Sequence, residues 1–311
     1  MTKDKLKDNQ KVEEEVVDSL PPMGFEILKR EFMRDKLALF SLVVLIGIFI
    51  FLYIAPFFMD LTSATKVSIF DRYTPPGVLT KDGVSYLFGT DEGGRDVLAQ
   101  LIIGGRNSVT IAVCVTILTE AIGIALGLIA GYYGGKVDNF MMRVVDFISI
   151  LPRLVMIIAL VTIVKRFDVT SLVLIMSALG WPGTTRLFRT RLLSEASKDY
   201  VSASKTMGTY DWKIMLFELL PNVSSLIITD LTLSLAGNIG LETGLSFLGF
   251  GLPSGTPSLG TLVGYAKTSD IIENKQWVWL PAAIFILVMM LCINYVGQAL
   301  QRSADSKQRV G

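Results

Sequence analysis

Six long apolar runs constrain this chain more than any other feature. They fall at about 37–58, 108–131, 141–164, 171–190, 222–244 and 278–299, each near the ~20 residues that a helix needs to cross bilayer hydrocarbon. Backbone in lipid must satisfy its own N–H and C=O groups, so runs of this length read as helices. The expected fold class is an all-α membrane protein with six transmembrane helices. In the fourth run Gly180-Trp-Pro-Gly183 is expected to interrupt the helix, and in the fifth Asp230, Asn238 and Glu242 dilute the apolar character. Breakers and polar groups at membrane depth persist where protein or a water-filled path surrounds them, so both spans are expected to face the interior of the bundle.

Composition removes whole classes of chemistry. There is no histidine among the 311 residues, which excludes histidine-based triads and HExxH zinc sites. No G-x-x-x-x-G-K-[ST] loop occurs either, so ATP hydrolysis is not expected on this chain. No metal site is expected. A net charge of +1 gives no field for nucleic acid. Cys114 and Cys292 both lie in apolar runs and read as small hydrophobes rather than a disulfide. An intramembrane Ser–Lys enzyme fits poorly, since Lys165 and Lys205 fall outside the spans. An ion-gradient transporter would call for an inverted repeat, and none is visible.

Lysine and arginine set the orientation. With the N-terminus in the cytoplasm, the inside segments 1–36, 132–143, 186–213 and 302–309 hold 19 cations and the outside segments 59–107, 165–170 and 245–277 hold 9. Both ends are therefore expected inside. Residues 1–36 read as a charged cytoplasmic tail followed by an interfacial amphipathic helix over 24–36, in contact with membrane lipid. A signal peptide is not expected, because the first apolar run starts late and is too long for one. Residues 37–107 would form the first transmembrane helix and an extracellular loop, and 108–301 a core with five helices. That core would include a polar cytoplasmic loop at about 194–221. Residues 302–311 would be a C-terminal cytoplasmic tail.

Four sets of residues stand out. The segment 198–222 is polar, amphipathic, divided by Gly208 and closed by Leu220-Pro221, and it is wedged between apolar runs. Asp91, Arg95 and Asp96 form either a salt-bridge cluster that shapes the outer loop or a recognition point. Arg153, Asp230 and Glu242 lie inside spans, where an ionised group costs a few kcal/mol unless it meets a partner or water. Arg153 could pair with Asp146. Glu242, near the outer end of its span, could line a pathway mouth or hold the turn that follows.

Several motifs carry a family resemblance over nearly the whole chain after residue 24. Phe88-Gly-Thr-Asp-Glu-Gly-Gly-Arg-Asp-Val97, with Gly89, Thr90, Asp91, Gly94, Arg95 and Asp96, resembles the signature before the second span of peptide-importing ABC permeases. Leu128-Ile-Ala-Gly-Tyr-Tyr-Gly-Gly135, Met142-Arg-Val-Val-Asp146 with Pro152, Gly244-Leu-Ser-Phe-Leu-Gly249 and Pro257-Ser-Leu-Gly-Thr261 are similar to the stretches that follow. The chain thus resembles the "C" permeases of dipeptide, oligopeptide and nickel importers. That resemblance implies the type I importer permease fold and a place in the bacterial cytoplasmic membrane. It implies a peptide as cargo, or a nickel chelate or other small solute. It also implies four partners: a homologous second permease, two cytoplasmic ATPase subunits that bind ATP and Mg, and an extracellular peptide-binding protein. The segment 198–222 would be the ATPase-coupling loop, built on Tyr200, Ser202, Ala203, Ser204, Gly208, Leu220 and Pro221. Ser202-Ala203-Ser204 departs from the family's usual Glu-Ala-Ala, and Glu218 stands where relatives often carry histidine. The family keeps an acid at the position of Glu242.

Overall fold

The structure is a computed structural model that describes residues 32–59, 61–80, 83–164, 167–253 and 255–309. The tail 1–20 and most of the amphipathic segment 24–36 lie outside the described residues. The α-helices of six residues or more are α1 (Lys36–Ile54), α2 (Val97–Tyr133), α3 (Gly135–Ile150), α4 (Arg153–Ile163), α5 (Val169–Ala196), α6 (Asp199–Thr206), α7 (Ser224–Leu248), α8 (Leu259–Gly264), α9 (Ser269–Asn274) and α10 (Leu280–Arg309), with a long turn-rich segment over residues 55–96 between α1 and α2. No strand occurs among the described residues.

Four of these are long and apolar enough to cross a membrane: Lys36–Phe57, Val97–Tyr133, Ser224–Leu248 and Leu280–Arg302. The pair α3 and α4 makes a fifth if it counts as one span. The third apolar run is therefore not the single straight helix expected over 141–164. It bends by 77° between Ile150 and Arg153. Pro152 is the cause, because its ring pushes the preceding residue out of the helical region, and Leu151 indeed has ψ 129°. The second helix also starts earlier than expected, at Val97 rather than 108, where the Asp96 carboxylate caps it through the Leu98 N–H at 2.9 Å.

The fourth run corrects the other expectation about breakers. α5 runs unbroken through Pro182. Neighbouring helices can hold a proline-containing helix together in a membrane, and α5 has such a neighbour on both sides of Pro182. A Cβ at Gly180 would meet the Thr119 side chain of α2 at 2.6 Å, and one at Gly123 of α2 would meet Thr184 at 2.6 Å. Farther in, Gly127 faces Phe188 at 2.9 Å and Gly131 faces Leu192 at 2.7 Å by the same measure. The two helices therefore run in the same direction in one register, a small residue every fourth position against a larger one. Without a hydrophobic drive between helices in lipid, such close backbone approach is what holds them.

Three apolar clusters surround this pair. One joins α1, α2, α7, α8 and α10 through Leu52, Leu101, Ile239, Leu259 and Met289. A second joins α2, α4, α5 and α7 through Val115, Ile157, Met176 and Leu245. The third lies at the inner end and includes Leu128, Phe188, Leu192 and Ile214. Large apolar side chains such as Phe40, Val43, Ile46 and Ile50 stay exposed on α1, as a lipid-facing helix requires.

Gly127→Ala is expected to destabilise the detergent-solubilised protein by about 1–3 kcal/mol, because the new methyl overpacks the α2–α5 contact. Gly47→Ala, where a Cβ meets nothing within 4 Å, should be neutral or slightly stabilising. Thermal unfolding followed by size-exclusion chromatography separates the two. Equal melting temperatures for both variants would remove the glycine contact as the determinant of the fold.

Candidate functional site

The loop after α5 is built on an apolar floor. Val201, Ile214 and Leu219 are fully buried against Phe188, Leu192 and Val223. α6 ends at Thr206, and Gly208 turns the chain with φ +81°, a region that glycine reaches without steric cost. The chain then re-enters helix at Asp211, widens into a π-helical turn over Ile214–Leu219 and meets Pro221. Proline has no N–H to give to an α-helical bond, and the wider turn adjusts the hydrogen bonding ahead of it.

Polar contacts fix the two arms of the loop to each other and to α2. The Ser204 hydroxyl donates to Glu218 Oε2 at 2.8 Å. The Tyr132 hydroxyl donates to Asp211 Oδ1 at 2.6 Å, and the Lys205 ammonium lies 4.3 Å from the Tyr132 ring centre. Tyr200 donates to Glu195 at 3.2 Å and accepts from Asn222 at 3.2 Å. Ser202, Ala203, Gly208 and Pro221 lie on the exposed side and Leu220 is half-buried. Beside them an apolar patch stands clear of the fold: Met207 is 78% exposed, Tyr210 68%, Trp212 51% and Phe217 70%. These four side chains form exposed apolar surface above a buried floor.

The intramembrane polar residues form two groups. In the first, Asn238 Nδ2 donates to Thr116 Oγ1 at 2.9 Å, and an Arg153 guanidinium N–H reaches Asn238 Oδ1 at 3.3 Å. One helical turn inward, Ser234 donates to Glu120 Oε1 at 2.9 Å. The Thr184 hydroxyl lies 3.3 Å from both Glu120 Oε1 and Asp230 Oδ2. Asp230 therefore shares one site with Glu120, an acid that the sequence reading passed over although it lies inside the second apolar run. Its position there is the same signal that singled out Asp230.

Glu242 belongs to the second group. It has no exposed surface, and the Ser246 hydroxyl donates to it at 2.7 Å, with Ser108 and Ser258 beside it. Ser108 also accepts from the Leu259 N–H at 3.1 Å. The carboxyl group thus ties α7 to α2 and to the start of α8, and it does not open onto a pathway mouth. Asp146 does not pair with Arg153. The bend at Pro152 turns the two apart, and Asp146 binds Arg186 of α5 at 2.7 Å.

The outer signature is a closed knot. Asp91 is fully buried. Its Oδ1 accepts from the Gly93 and Arg95 backbone N–H groups at 2.8 and 2.9 Å. Its Oδ2 accepts from Arg95 Nε at 2.9 Å, Gln100 at 2.8 Å and Tyr265 at 2.9 Å. Burial and the Asp91 carboxylate push the Tyr265 phenol up from its ordinary pKa, so it remains a donor. Gly89 and Gly94 have φ +66° and +70°. A Cβ at either would lie 2.4 Å from Thr74 O or 2.1 Å from Ser68 O. Thr90 is buried and accepts from the Thr74 N–H at 2.8 Å, while Asp96 caps α2 and accepts from Ser63 at 3.4 Å. Five donors from the chain itself thus close around the buried Asp91 carboxylate. No group of three or more metal-ligating side chains occurs among the described residues.

Comparison with known proteins adds the family context. A family profile described as "Binding-protein-dependent transport system inner membrane component" matches residues 123–310, and one described as "N-terminal TM domain of oligopeptide transport permease C" matches residues 27–76. The chain is 48% identical over 281 residues to the oligopeptide transport system permease protein OppC of Lactococcus lactis subsp. cremoris, covering 90% of this chain and 94% of that one. It is 32% identical over 280 residues to the dipeptide transport system permease protein DppC of Bacillus subtilis, covering 90% and 85%. Among solved structures, an inward-facing MetNI methionine ABC transporter chain shares the fold with a TM-score of 0.53 at 18% identity, covering 67% of this chain and 97% of that one.

Glu242→Gln should retain nearly the parent's thermal stability, since an amide oxygen still accepts from Ser246. Glu242→Ala should lose about 1–3 kcal/mol through the unpaired hydroxyl it leaves. Equal stability of Glu242→Ala and the parent would show that the carboxyl does not tie the three helices.

Proposed function

The chain belongs to the family of binding-protein-dependent transport system inner membrane components, and we propose that it is the membrane-spanning permease subunit of an ATP-driven importer of peptides. It is a multi-pass protein of the cytoplasmic membrane. The peptide cargo rests on the oligopeptide and dipeptide permeases it is similar to. The observation that carries the mechanism is the apolar patch of Met207, Tyr210, Trp212 and Phe217 raised on a fully buried floor. Such a surface suits a partner that pushes on the fold, and this chain has no P-loop of its own.

The partners in this reading are a homologous second permease, two cytoplasmic ATPase subunits carrying ATP and Mg, and an extracellular peptide-binding protein. ATP binding draws the two coupling loops together and turns the pathway outward, and hydrolysis resets it. Each step works through differential binding to two states of the permease. The loop about 194–221 does the docking. Ser202 and Ala203 provide a smooth face, and Ser204 stiffens the loop through Glu218 rather than meeting the ATPase. Six spans complete the topology, with both termini cytoplasmic. The sixth is α5, whose 28 residues reach ~42 Å at 1.5 Å per residue. Its inner half carries Arg186, Arg189 and Arg191, in line with the cation rule for cytoplasmic ends. Residues 1–36, 37–107, 108–301 and 302–311 then divide as tail, first helix with outer loop, core and tail.

Reconstituted with its four partners in proteoliposomes, the protein should take up peptide only when ATP is supplied. Gly208→Pro removes the N–H that bonds Lys205 O at 3.0 Å and forces φ near −65°. It should insert normally while ATPase docking and uptake fall together. Parent-level uptake by this variant at equal expression would exclude 198–222 as the docking element.

For topology, cysteines at Ser85 and Ser306 in a Cys114- and Cys292-free background provide the check. An impermeant thiol reagent added to intact cells should label position 85 and leave 306 untouched. Labelling at 306 would overturn the six-span arrangement.

A further inference from the structure

The bend between α3 and α4 opens a cavity of about 280 Å³ lined by Ser149, Leu151, Met156, Leu179, Pro182 and Gly183, with Arg153 in its wall. Arg153 has no carboxylate within ion-pair distance among the described residues, and its Nε–H has no hydrogen-bond partner there. One terminal nitrogen makes two long contacts, 3.3 Å to Asn238 Oδ1 and 3.5 Å to Met176 O. A guanidinium carries five donors in a fork that fits a carboxylate. Leaving that fork largely unmatched inside a membrane protein is costly unless something else meets it. Two further features favour a negative group. Arg153 is the first residue of the eleven-residue helix α4, whose N-terminal N–H groups and dipole attract anions. The guanidinium is also held against Gly180, where a Cβ would stand 2.8 Å from Nη2, so the group is fixed beside the cavity rather than free to reach an interface.

We propose that this cavity is a carboxylate station on the translocation route, in which Arg153 receives the C-terminal carboxylate of the peptide. The inference rests on the peptide-importer reading. The volume has room for a terminal residue and not for a whole peptide, which matches a station that holds one end of the cargo. Depth decides between a peptide carboxylate and a lipid phosphate. Gly180, which touches the guanidinium, lies about three helical turns from the outer end of α5 and more than four from the inner end. A phosphate headgroup belongs at either surface and not at that depth.

The test is ATP-dependent uptake by the assembled complex of a tripeptide and of the same tripeptide with an amidated C-terminus, at concentrations that saturate the binding protein. Two variants are compared with the parent at matched amounts of complex. Arg153→Gln removes the charge. Gly183→Leu fills the cavity while leaving Arg153 intact, and a Cβ there meets nothing within 4 Å. Both variants should lower the acid-to-amide uptake ratio about tenfold, the worth of one lost charge-assisted contact, with amide uptake nearly unchanged. A ratio that stays at the parent's value in either variant overturns the proposal, as does an equal loss for both peptides, which would mark a structural role. A loss that follows the anionic lipid content of the vesicles instead of the peptide terminus assigns the site to lipid phosphate and also overturns it. A parent complex that imports neither tripeptide would strike the peptide-importer reading itself.

Discussion

The close approach of α2 to α5 is the contact on which the rest of the molecule depends. Glycine at 123, 127 and 131 lets the two backbones meet, and no larger residue fits without displacing Thr184, Phe188 or Leu192. That one register has consequences at three depths. At the outer side it sets Gly180 against Thr119 and leaves the guanidinium of Arg153 pinned beside them. In the middle it brings Thr184 to Glu120 and, across α7, to Asp230. At the end nearer Tyr133 and Ala196 it delivers Phe188 and Leu192 as part of the floor under the loop 198–222. Helices in lipid gain little from burying apolar surface, so tight van der Waals contact and a few interhelical hydrogen bonds carry the packing.

Polar groups in the membrane are arranged by the same logic. Glu242 is closed in by serines from its own helix and its neighbours, and Asp91 by five donors near the outer surface. Each of these acids joins segments far apart in sequence. Glu120 and Asp230 differ. Between them stands the Thr184 hydroxyl, with one proton to donate, while Ser234 supplies a second donor to Glu120 alone. Arg153 differs in the opposite sense, with donors in excess of acceptors. Acceptor excess and donor excess sit in the same band between α2, α5 and α7.

Much of this was legible in the sequence, and the misses have physical causes. The apolar runs, the outer signature and the polar loop could be read locally, because span length, turn glycines and amphipathicity are properties of contiguous residues. The two prolines could not be ranked by local rules. Pro152 ends its helix at Leu151, whose ψ is 129°, whereas Pro182 sits in a helix on which α2 packs before and after it. That distinction lies in a neighbouring helix 60 residues away in the chain. The pairing of Asp146 was missed for a related reason: a straight helix would bring it towards Arg153, and the bend gives it Arg186 instead. Glu120 and the four-residue spacing of Gly123, Gly127 and Gly131 were present as signals and passed unread among longer motifs.

The distribution of rigidity bears on how work could cross the molecule. Met207, Tyr210, Trp212 and Phe217 are exposed, yet Val201, Ile214 and Leu219 a few residues away are fully buried in one cluster with Phe188 and Leu192 of α5. A push on the surface therefore has no soft layer in which to dissipate. It meets Phe188 and Leu192, and these face the glycines of α2 with no spare volume. α5 and α2 must then move together, as a unit. α3 follows α5 through Asp138–Arg189 and Asp146–Arg186, two ion pairs that span the same two helices. The first place where this unit can yield is the break at Leu151 and Pro152, where backbone hydrogen bonding is already interrupted and a cavity is already open. Hinges are a few element-terminal residues that absorb backbone rotation, and in this fold that position coincides with the unpaired guanidinium of Arg153. A movement of the loop 198–222 and a change in the environment of that charge would then be two ends of one rigid-body displacement.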